Sequence, residues 1–486
     1  LAAAYCGNAF DTRDILERQA KFDVDDRFVL PELDDIVGNR EVDHDTIDVT
    51  NVYYDTTDHD LQALGIVLRR RDGDDEPGWQ LEIPVSGGRT ELQWVPSDQP
   101  PAEATDLLTG LTQGKSVDSV AKIHTVRERY RIGAPQSGRQ CIEVDDDRVR
   151  ASAGERLLAW REIEVETGAG ARSVTKRLAK RLCAAGAQRS RYSSKLAHVS
   201  PAEPAPSSAS PATRALVDYV NAQIDQIVAG DIGLRRGQDP IHDTRVAVRR
   251  LRSTLRVFRK DLDRSMIGDM DAELKWFAGM LGGVRDCEVQ QRRFTEALDG
   301  VPDVLVLGPV NTRIRNDLEA IGLPARREVS EAMESPRYLA VMAVLRRWRA
   351  VPPVHEDIAT STLLKRARRA QRKADRRLAE ALESGGGDIG AMLHRARKAA
   401  KRARYAAELC EPVSRTKRAK RTIKHYKNIQ SLLGDHQDTV VACDALQRMA
   451  IAAGTTVGEN GFTYGMLYAR EQQIAHQCRR GIRHLL

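Results

Sequence analysis

Apolar positions recur with two different periods along this chain, and the change falls near residue 200. Before it, short segments alternate apolar and polar residues: 17–24 (ERQAKFDV), 52–58, 66–72, 79–85, 90–95, 126–132, 141–149 and 160–167. Gly, Pro, Asp or polar turns separate them, so they read as about eight strands. Helical stretches are expected near 25–37, 100–110, 114–122 and 171–186. Beyond the change the period becomes helical, over roughly 212–229, 241–262, 267–298, 309–321, 325–349, 357–384, 388–410, 414–449 and 458–485. Strand signals are absent there, which suits an all-α bundle. The stretch VSPAEPAPSSASPATR (199–214) is too poor in apolar residues to bury a core and reads as a semi-extended linker. The pattern therefore predicts an α+β, multidomain chain: a poorly structured leader (1–14), a β domain (15–198), the linker (199–212) and a helical domain (213–486).

The alternation in the first half is unusual in what it repeats. One face of strand after strand is charged: Glu17/Gln19/Lys21, Arg69/Arg71, Arg127/Arg129/Arg131, Glu143/Asp145/Asp147 and Glu162/Glu164/Glu166. The solvated side of an antiparallel sheet gives this pattern. A closed barrel with a polar lumen gives it too, and mixed acids and bases on one wall suit a metal together with an anion.

The second half carries an internal repeat. IHDTRVAVRRLRSTLRVF from Ile241 and LHRARKAAKRARYAAELC from Leu393 pair His242/His394, Arg245/Arg397, Arg249/Lys401, Arg250/Arg402 and Arg252/Arg404 at a constant offset of 152 residues. The same offset pairs Gly282 with Gly434 and Asp286 with Asp438 in two LGxxxD turns. At 3.6 residues per turn, each copy lays its cations near one helical face, so each presents a basic stripe about three turns long. A polyanion is the natural partner. A third basic run, KRARRAQRKADRR (365–377), has eight basic residues and one acid and reads as a solvated helix face.

Charge sharpens the division. The net +7 conceals 27 Lys/Arg against 35 Asp/Glu over residues 1–198, and 49 against 34 over residues 199–486. An acidic half can hold metals and a basic half phosphates. Seven scattered cysteines without a CxxC pair argue against a disulfide framework or zinc site. No apolar run is long enough to span a bilayer, and the start lacks the marks of a secretion signal. A cytoplasmic protein with no membrane partner and unknown oligomeric state is expected.

Several segments of the first half carry a resemblance. The opening strand has Glu17, Gln19 and Lys21 in an ExExK frame; YYDTTDHDLQALGIVLRRR supplies Tyr54, Asp55, Leu61, Gly65, Arg69 and Arg71; WQLEIP carries Glu82; His124-Thr125-Val126-Arg127 stands where an RTxR strand is expected; Glu143/Asp147, Glu162/Glu164 and Ser194-Lys195 follow. This half resembles a CYTH domain of the triphosphate tunnel metalloenzymes. The resemblance implies an eight-stranded antiparallel β tunnel that binds a linear triphosphate along a basic wall and holds Mg²⁺ or Mn²⁺ on carboxylates. It implies Glu17, Glu162 and Glu164 as metal ligands, with Glu143 and Asp147 as further ones. The phosphate wall would be Lys21, Arg69, Arg71, Arg127, Arg129 and Lys195, and the catalytic set Glu17, Lys21, Glu162 and Glu164. Three positions depart from the pattern. Gln19 loses a charge, Glu82 replaces a lysine and His124 replaces an arginine. A carboxylate in place of an ammonium repels phosphate by roughly 4 kcal/mol at 4 Å and an effective dielectric near 20.

The second half resembles a CHAD domain, through His242/Arg245/Arg249/Arg252, His394/Arg397/Lys401/Arg404 and the two LGxxxD segments. That resemblance implies a helical bundle of two related halves that binds inorganic polyphosphate. Together the two imply a metal-dependent hydrolase of inorganic triphosphate or short polyphosphate with a polyphosphate-binding module. The alternative is a catalytically weak or inactive polyphosphate-binding protein, associated with polyphosphate granules or with phosphate sensing. A nucleic-acid clamp is the less favoured partner class, since aromatics are 5% of the chain and no stacking series interleaves the basic helices. A cyclase acting on ATP ranks last.

Overall fold

The computed structural model describes residues 11–484 except 16–17, 33–41, 74–76, 86–87, 133–141, 168–171, 193, 201–208, 384–388 and 415. The chain divides into two compact units, Leu1–Ser207 and Ser208–Leu486.

The first unit is built on one antiparallel sheet. Its strands are β1 (Asp11–Ile15), β2 (Arg18–Val24), β3 (Val42–Asp55), β4 (Val67–Asp72), β5 (Gly78–Val85), β6 (Gly88–Trp94), β7 (Asp118–Ile132), β8 (Ile142–Ala153), β9 (Arg156–Thr167) and the two-residue β10 (Gln188–Arg189). Their order is β1-β6-β5-β4-β3-β7-β8-β9-β2-β10. Only two residues separate β1 from β2, yet β1 pairs with β6 and β2 pairs with β9. One passage of chain thus holds both ends of the sheet and closes it into a tunnel. Counting β1 and β2 as one passage and setting aside short β10, the wall has the eight strands expected.

Alternation assigns the two faces. Phe22, Ile142, Val144, Ile163 and Val165 point outward, where Leu178, Ala179 and Leu182 of α3 (Arg172–Ala184) cover them. The opposite, lumenal face carries Lys21, Arg127, Glu143, Asp145, Asp147, Glu162 and Glu164. At one end the lumen is apolar. There Tyr53, Ala121, Ile123, Val149 and Ala151 pack against Leu196 and Val199 of α4 (Lys195–Val199), so this short helix fills the tunnel end.

Sequence periodicity misplaced several segments. Residues 114–117 have no helix and 118–122 begin β7, because the single apolar face of VDSVAKI fits a strand as well as a helix. β3 starts at Val42, well before 52, in a polar run (DHDTID) whose alternation is visible only in charge. Residues 25–32 are not helical, and 33–37 lie outside the described residues. Residues 11–14, expected to belong to a leader, form β1; residues 1–10 lie outside the described set. So does most of the expected linker (201–208), while Val199 ends α4 and Pro211 opens α5. The remaining short helices are α1 (Ala102–Leu107) and α2 (Thr109–Thr112).

The second unit is helical: α5 (Pro211–Arg235), α6 (Ile241–Val257), α7 (Arg264–Ile267), α8 (Met270–Leu298), α9 (Val310–Met333), α10 (Pro336–Ala350), α11 (Thr360–Glu383), α12 (Ile389–Leu409), α13 (Thr416–Gly454) and α14 (Phe462–Arg483). Ser210 and Ser335 cap α5 and α10, each accepting a backbone N–H ahead of a proline in the first turn. The expected break near 321–325 does not occur: Pro324 lies inside α9, and the chain instead stops at Glu334–Ser335. Both LGxxxD segments, read as turns from their glycines, lie inside long helices, α8 and α13. The reason is contact. A Cβ on Gly282 would stand 3.3 Å from Nη2 of Arg245, and one on Gly434 would stand 3.3 Å from Nη2 of Arg397. The glycines let a guanidinium lie against the helix, in both repeats alike.

Close approach is tightest between α5 and α6, where a Cβ on buried Gly230 would fall 2.0 Å from Oγ1 and 2.9 Å from Cβ of Thr244. Thr244 is itself held, donating its hydroxyl to the Pro240 carbonyl at 2.9 Å. Gly230→Ala therefore should lower unfolding stability by about 1–3 kcal/mol despite alanine's better helix propensity. Denaturant unfolding followed by circular dichroism checks this; an unchanged or raised midpoint contradicts it.

Candidate functional site

In the first unit the lumen collects acids from two neighbouring strands and cations from three elements. β8 and β9 pair so that Asp147 stands opposite Glu162 and Asp145 opposite Glu164. Asp147, Glu162 and Glu164 are all buried, and one carboxylate oxygen from each lies within 4.8 Å of the others. Lys195, the first residue of α4, reaches into them: its Nζ is 2.7 Å from Asp147, 2.9 Å from Glu162 and 2.6 Å from Glu164. Lys21 on β2 pairs with Glu164 and stands 3.6 Å from Glu162. Arg127 on β7 bridges Asp145 (2.6 Å), Asp147 (2.8 Å) and Glu164 (3.2 Å).

Burial penalises every charge here, and the neighbours decide which survive. It opposes ionisation of Glu164, but Lys195, Lys21 and Arg127 outweigh it and hold the carboxyl well below its usual range. The same balance, led by Lys195 and Arg127, lowers Asp147. Asp145 goes the other way: burial, reinforced by Asp147, Glu143 and Glu164, pushes it well up, and Arg127 only partly offsets this. The cluster therefore holds more carboxylate than its three cations neutralise. Hard, buried oxygen donors in excess of their counter-charges fit Mg²⁺ or Mn²⁺.

The other expected residues are placed less tightly. Glu17 and the side chain of Gln19 lie outside what the structure describes. Glu143 lies on the lumenal face opposite Arg131 but outside the three-carboxylate cluster; burial and Glu166 raise its pKa. Arg129 makes a two-pronged pair with Asp45 at 3.0 and 2.6 Å. Arg69 is bound to Gln80 (2.7 Å) and Glu82 (2.9 Å), and Arg71 follows it on the same face.

Two of the three departures acquire a meaning. Glu82 does face the lumen, where it sits between Arg69 and Arg89 at 2.9 Å each. Burial opposes its ionisation, but those guanidiniums hold it below its ordinary value. His124 corrects the expectation. It lies on the face of β7 opposite to Arg127 and pairs with Asp48 at 2.7 Å, away from the lumen. Residues three apart on a strand cannot share a face, so a histidine there takes nothing from a phosphate wall.

Sequence reasoning passed over Asp145, which lies between Glu143 and Asp147 on one face, and Trp160, whose Nε1 donates to Glu162 at 2.7 Å. Trp160 in turn stacks on His198 of α4, which stacks on Tyr192. Asp55 is structural: its carboxylate accepts from the backbone N–H groups of Thr56, Leu61 and Gln62 at 2.7–2.9 Å. That fixes the turn leading to Gly65, which is left-handed at φ 71°.

In the second unit α6 and α12 pack together, and the repeat brings Arg245 and Arg249 of one into electrostatic range of Arg397 and Lys401 of the other. Nε of Arg249 and Nε of Arg397 are buried without a hydrogen-bond partner. Burial, then Arg397, Arg249 and Arg245, push Lys401 down to about 6, with only Asp438 opposing. The stripes are not uniform. Arg252 is bound to Asp271 at 3.2 Å, and Arg404 to Glu408 at 2.8 Å and Gln430 at 3.3 Å. His242 and His394 are both lowered, first by burial and then by neighbouring cations, so they stay neutral near pH 7. The four inner cations, not the whole of both stripes, form the unbalanced centre.

Among the described residues no helix is long and apolar enough to cross a membrane. The chain matches the CYTH domain family over residues 20–196 and the CHAD domain family over residues 218–447. An uncharacterised protein of Mycobacterium tuberculosis is 33% identical over 495 residues, spanning 96% of this chain and 94% of that protein. Among solved structures, the CHAD domain of Ricinus communis aligns with a TM-score of 0.45 at 24% identity, covering 58% of this chain and 94% of that one. HpAC1 of Hippeastrum, an adenylyl cyclase candidate with a dominant triphosphatase activity, aligns with a TM-score of 0.23 at 18% identity, covering 39% and 97%. The closed β tunnel with its lumenal acids and bases, and the duplicated helices with their inner cations, accordingly place the chain among the CYTH–CHAD proteins, with a CYTH domain followed by a CHAD domain.

Proposed function

We propose that the tunnel is a divalent-metal-dependent hydrolase of inorganic triphosphate or short polyphosphate, and that the helical unit binds inorganic polyphosphate. The convergence of Asp147, Glu162 and Glu164 with Lys21, Arg127 and Lys195 in one buried lumen carries the first part. Asp147, Glu162 and Glu164 would hold the ion, with Glu17 and Asp145 as further candidates and Glu143 at greater remove. When bound, Mg²⁺ or Mn²⁺ would neutralise phosphoryl oxygens and lower the pKa of a water. Lys195, Lys21 and Arg127 are occupied by carboxylates and would turn to phosphate oxygens as those carboxylates gain another counter-charge. Arg129, Arg69 and Arg71 extend the basic wall. Trp160 orients Glu162, and α4 closes one end against water.

The observation behind the second part is the group Arg245, Arg249, Arg397 and Lys401, whose mutual repulsion is only partly offset by Asp438 and by Asp286, 3.5 Å from Arg245, so that an anion would relieve it. Gly282 and Gly434 hold two of these guanidiniums against their helices in matching positions.

Phosphate release from tripolyphosphate should require Mg²⁺ or Mn²⁺, cease in excess chelator and fall by about 10²-fold or more in Glu164→Gln, the loss of several kcal/mol of charge stabilisation. A direct metal titration of the same variant should show weakened binding. Chelator-resistant release, or full activity of Glu164→Gln with metal affinity intact, contradicts the assignment.

Glu82→Gln should free Arg69 and Arg89 for the substrate and tighten tripolyphosphate binding by about threefold to tenfold. It should also lower the unfolding midpoint, because a buried ion pair broken on one side leaves charge uncompensated. Calorimetric titration with tripolyphosphate decides it, and an unchanged Kd with a lowered midpoint would make Glu82 purely structural.

Lys401 predicts a pH dependence with a definite sign. With its folded pKa near 6, the ammonium is largely deprotonated at pH 7.5, and a bound polyanion favours its reprotonation. Polyphosphate affinity should therefore fall as pH rises through 6 to 8, with proton uptake on binding. Stability runs the other way: between about 6 and the ordinary lysine value the unfolded chain binds the extra proton, so stability rises with pH across that window. Lys401→Met should flatten the affinity profile, and a wild-type profile already flat over pH 6–8 overturns the role.

A further inference from the structure

The run at 365–377 is largely solvent-exposed, as expected, but one side of it borders a basic basin. Arg366, Arg369 and Lys373 of α11 line a cavity of about 880 Å³ whose other walls are the end of α6, α7 and Arg402 of α12. Two of its cations are neutralised: Arg256 by Asp271 at 2.6 Å, and Arg366 by Asp261. Among the described residues, Arg259, Lys260, Arg264, Arg369, Lys373 and Arg402 form no ion pair, and Asp271, the sole carboxylate in the lining, only partly offsets Arg402. Arg402 is lowered by burial and then by surrounding arginines, and Lys373 chiefly by Arg377, as expected where cations crowd.

The basin breaks the repeat. At the 152-residue offset, Arg256 and Arg259 correspond to Glu408 and Glu411, so the second repeat has acids where the first has guanidiniums. On α6 the basin lies beyond the inner cluster, Arg256 following Arg245 by eleven residues or about 16 Å along the axis, whereas on α12 Arg402 directly follows Lys401. The basin is open to solvent, and its lining includes no aromatic ring, so it offers no stacking platform for bases.

We propose that this basin is a second binding site for a thin, base-free phosphate chain, contacted by the same inorganic polyphosphate that the inner cluster holds. This rests on the polyphosphate reading above. Two sites on one flexible chain raise affinity by effective concentration, so each contributes to the binding of long polymer beyond its own contacts.

The test uses the full chain, long-chain inorganic polyphosphate and excess chelator, which holds any metal-dependent tunnel contribution constant across variants. Arg369→Glu/Lys373→Glu should weaken binding tenfold or more and reduce the slope of log K against log salt by about one to two. Lys417→Glu/Lys420→Glu, with the same charge change on exposed positions of α13, should weaken it less than threefold. Arg369→Gln/Lys373→Gln should fall between, with an unchanged unfolding midpoint. Equal losses in the basin and control variants overturn the basin. So does a basin variant that loses single-stranded DNA affinity while keeping its polyphosphate affinity. Arg245→Glu/Arg249→Glu separates the two claims: if it abolishes binding while the basin variant matches the control, the inner cluster stands and the basin falls. No polyphosphate affinity in the wild-type chain overturns both.

Discussion

A charge taken out of water must be matched by an opposite one or it will not remain a charge. Both units are organised around this constraint, with opposite outcomes. In the tunnel, Lys195 sits within 2.9 Å of three carboxylates, and Arg127 bridges three, so nearly every lumenal cation already has an acid. Register produces this. Because β8 and β9 align Asp147 with Glu162 and Asp145 with Glu164, a one-residue slip would send the whole acidic set to the apolar outer face. In the helical unit four cations are brought together and left with little counter-charge, so much so that Lys401 gives up its proton near pH 6.

Duplication explains how such an unfavourable centre is built. A helix packed against its own copy meets like residues with like residues, so a stripe that is basic in one repeat faces a basic stripe in the other. Arg245 against Gly282 and Arg397 against Gly434 are the same contact made twice. Neutralisation is arranged only toward the stripe ends, where Arg252 meets Asp271 and Arg404 meets Glu408.

Much of this was legible in the sequence, and the parts that were not have physical reasons. The charged alternation marked the lumen, because period two survives whether the repeating property is apolar or ionic. It could not say whether that face was wet or enclosed. Closure depends on β1 and β2 pairing with opposite ends of the sheet, and no local pattern encodes it. His124 was misjudged by matching motif letters without counting strand faces; its three-residue spacing from Arg127 already excluded a shared wall. The glycines of LGxxxD looked like turn signals because glycine is as useful for close approach as for a left-handed backbone. The basic run at 365–377 is solvated as its amphipathicity suggests, but amphipathicity does not reveal the basic basin that Arg366, Arg369 and Lys373 border.

Matched and unmatched charge also imply different ligands. A lumen whose acids and bases already neutralise one another gains little from an anion alone, since each new contact breaks an existing pair. It gains little from a cation alone for the same reason, beyond the surplus of acid that pushes the Asp145 carboxyl upward. A cation and an anion arriving together let both sets of pairs exchange partners without leaving any buried group bare. This is the electrostatic condition for a metal–triphosphate complex, and Glu82 between Arg69 and Arg89 extends the same balance along the wall. The helical unit has no such balance to break. Its inner cations are stabilised by an anion that reaches them, with few existing pairs to break. The two units thus differ in what they can accept: one exchanges matched pairs for a cation and an anion arriving together, and the other takes an anion alone.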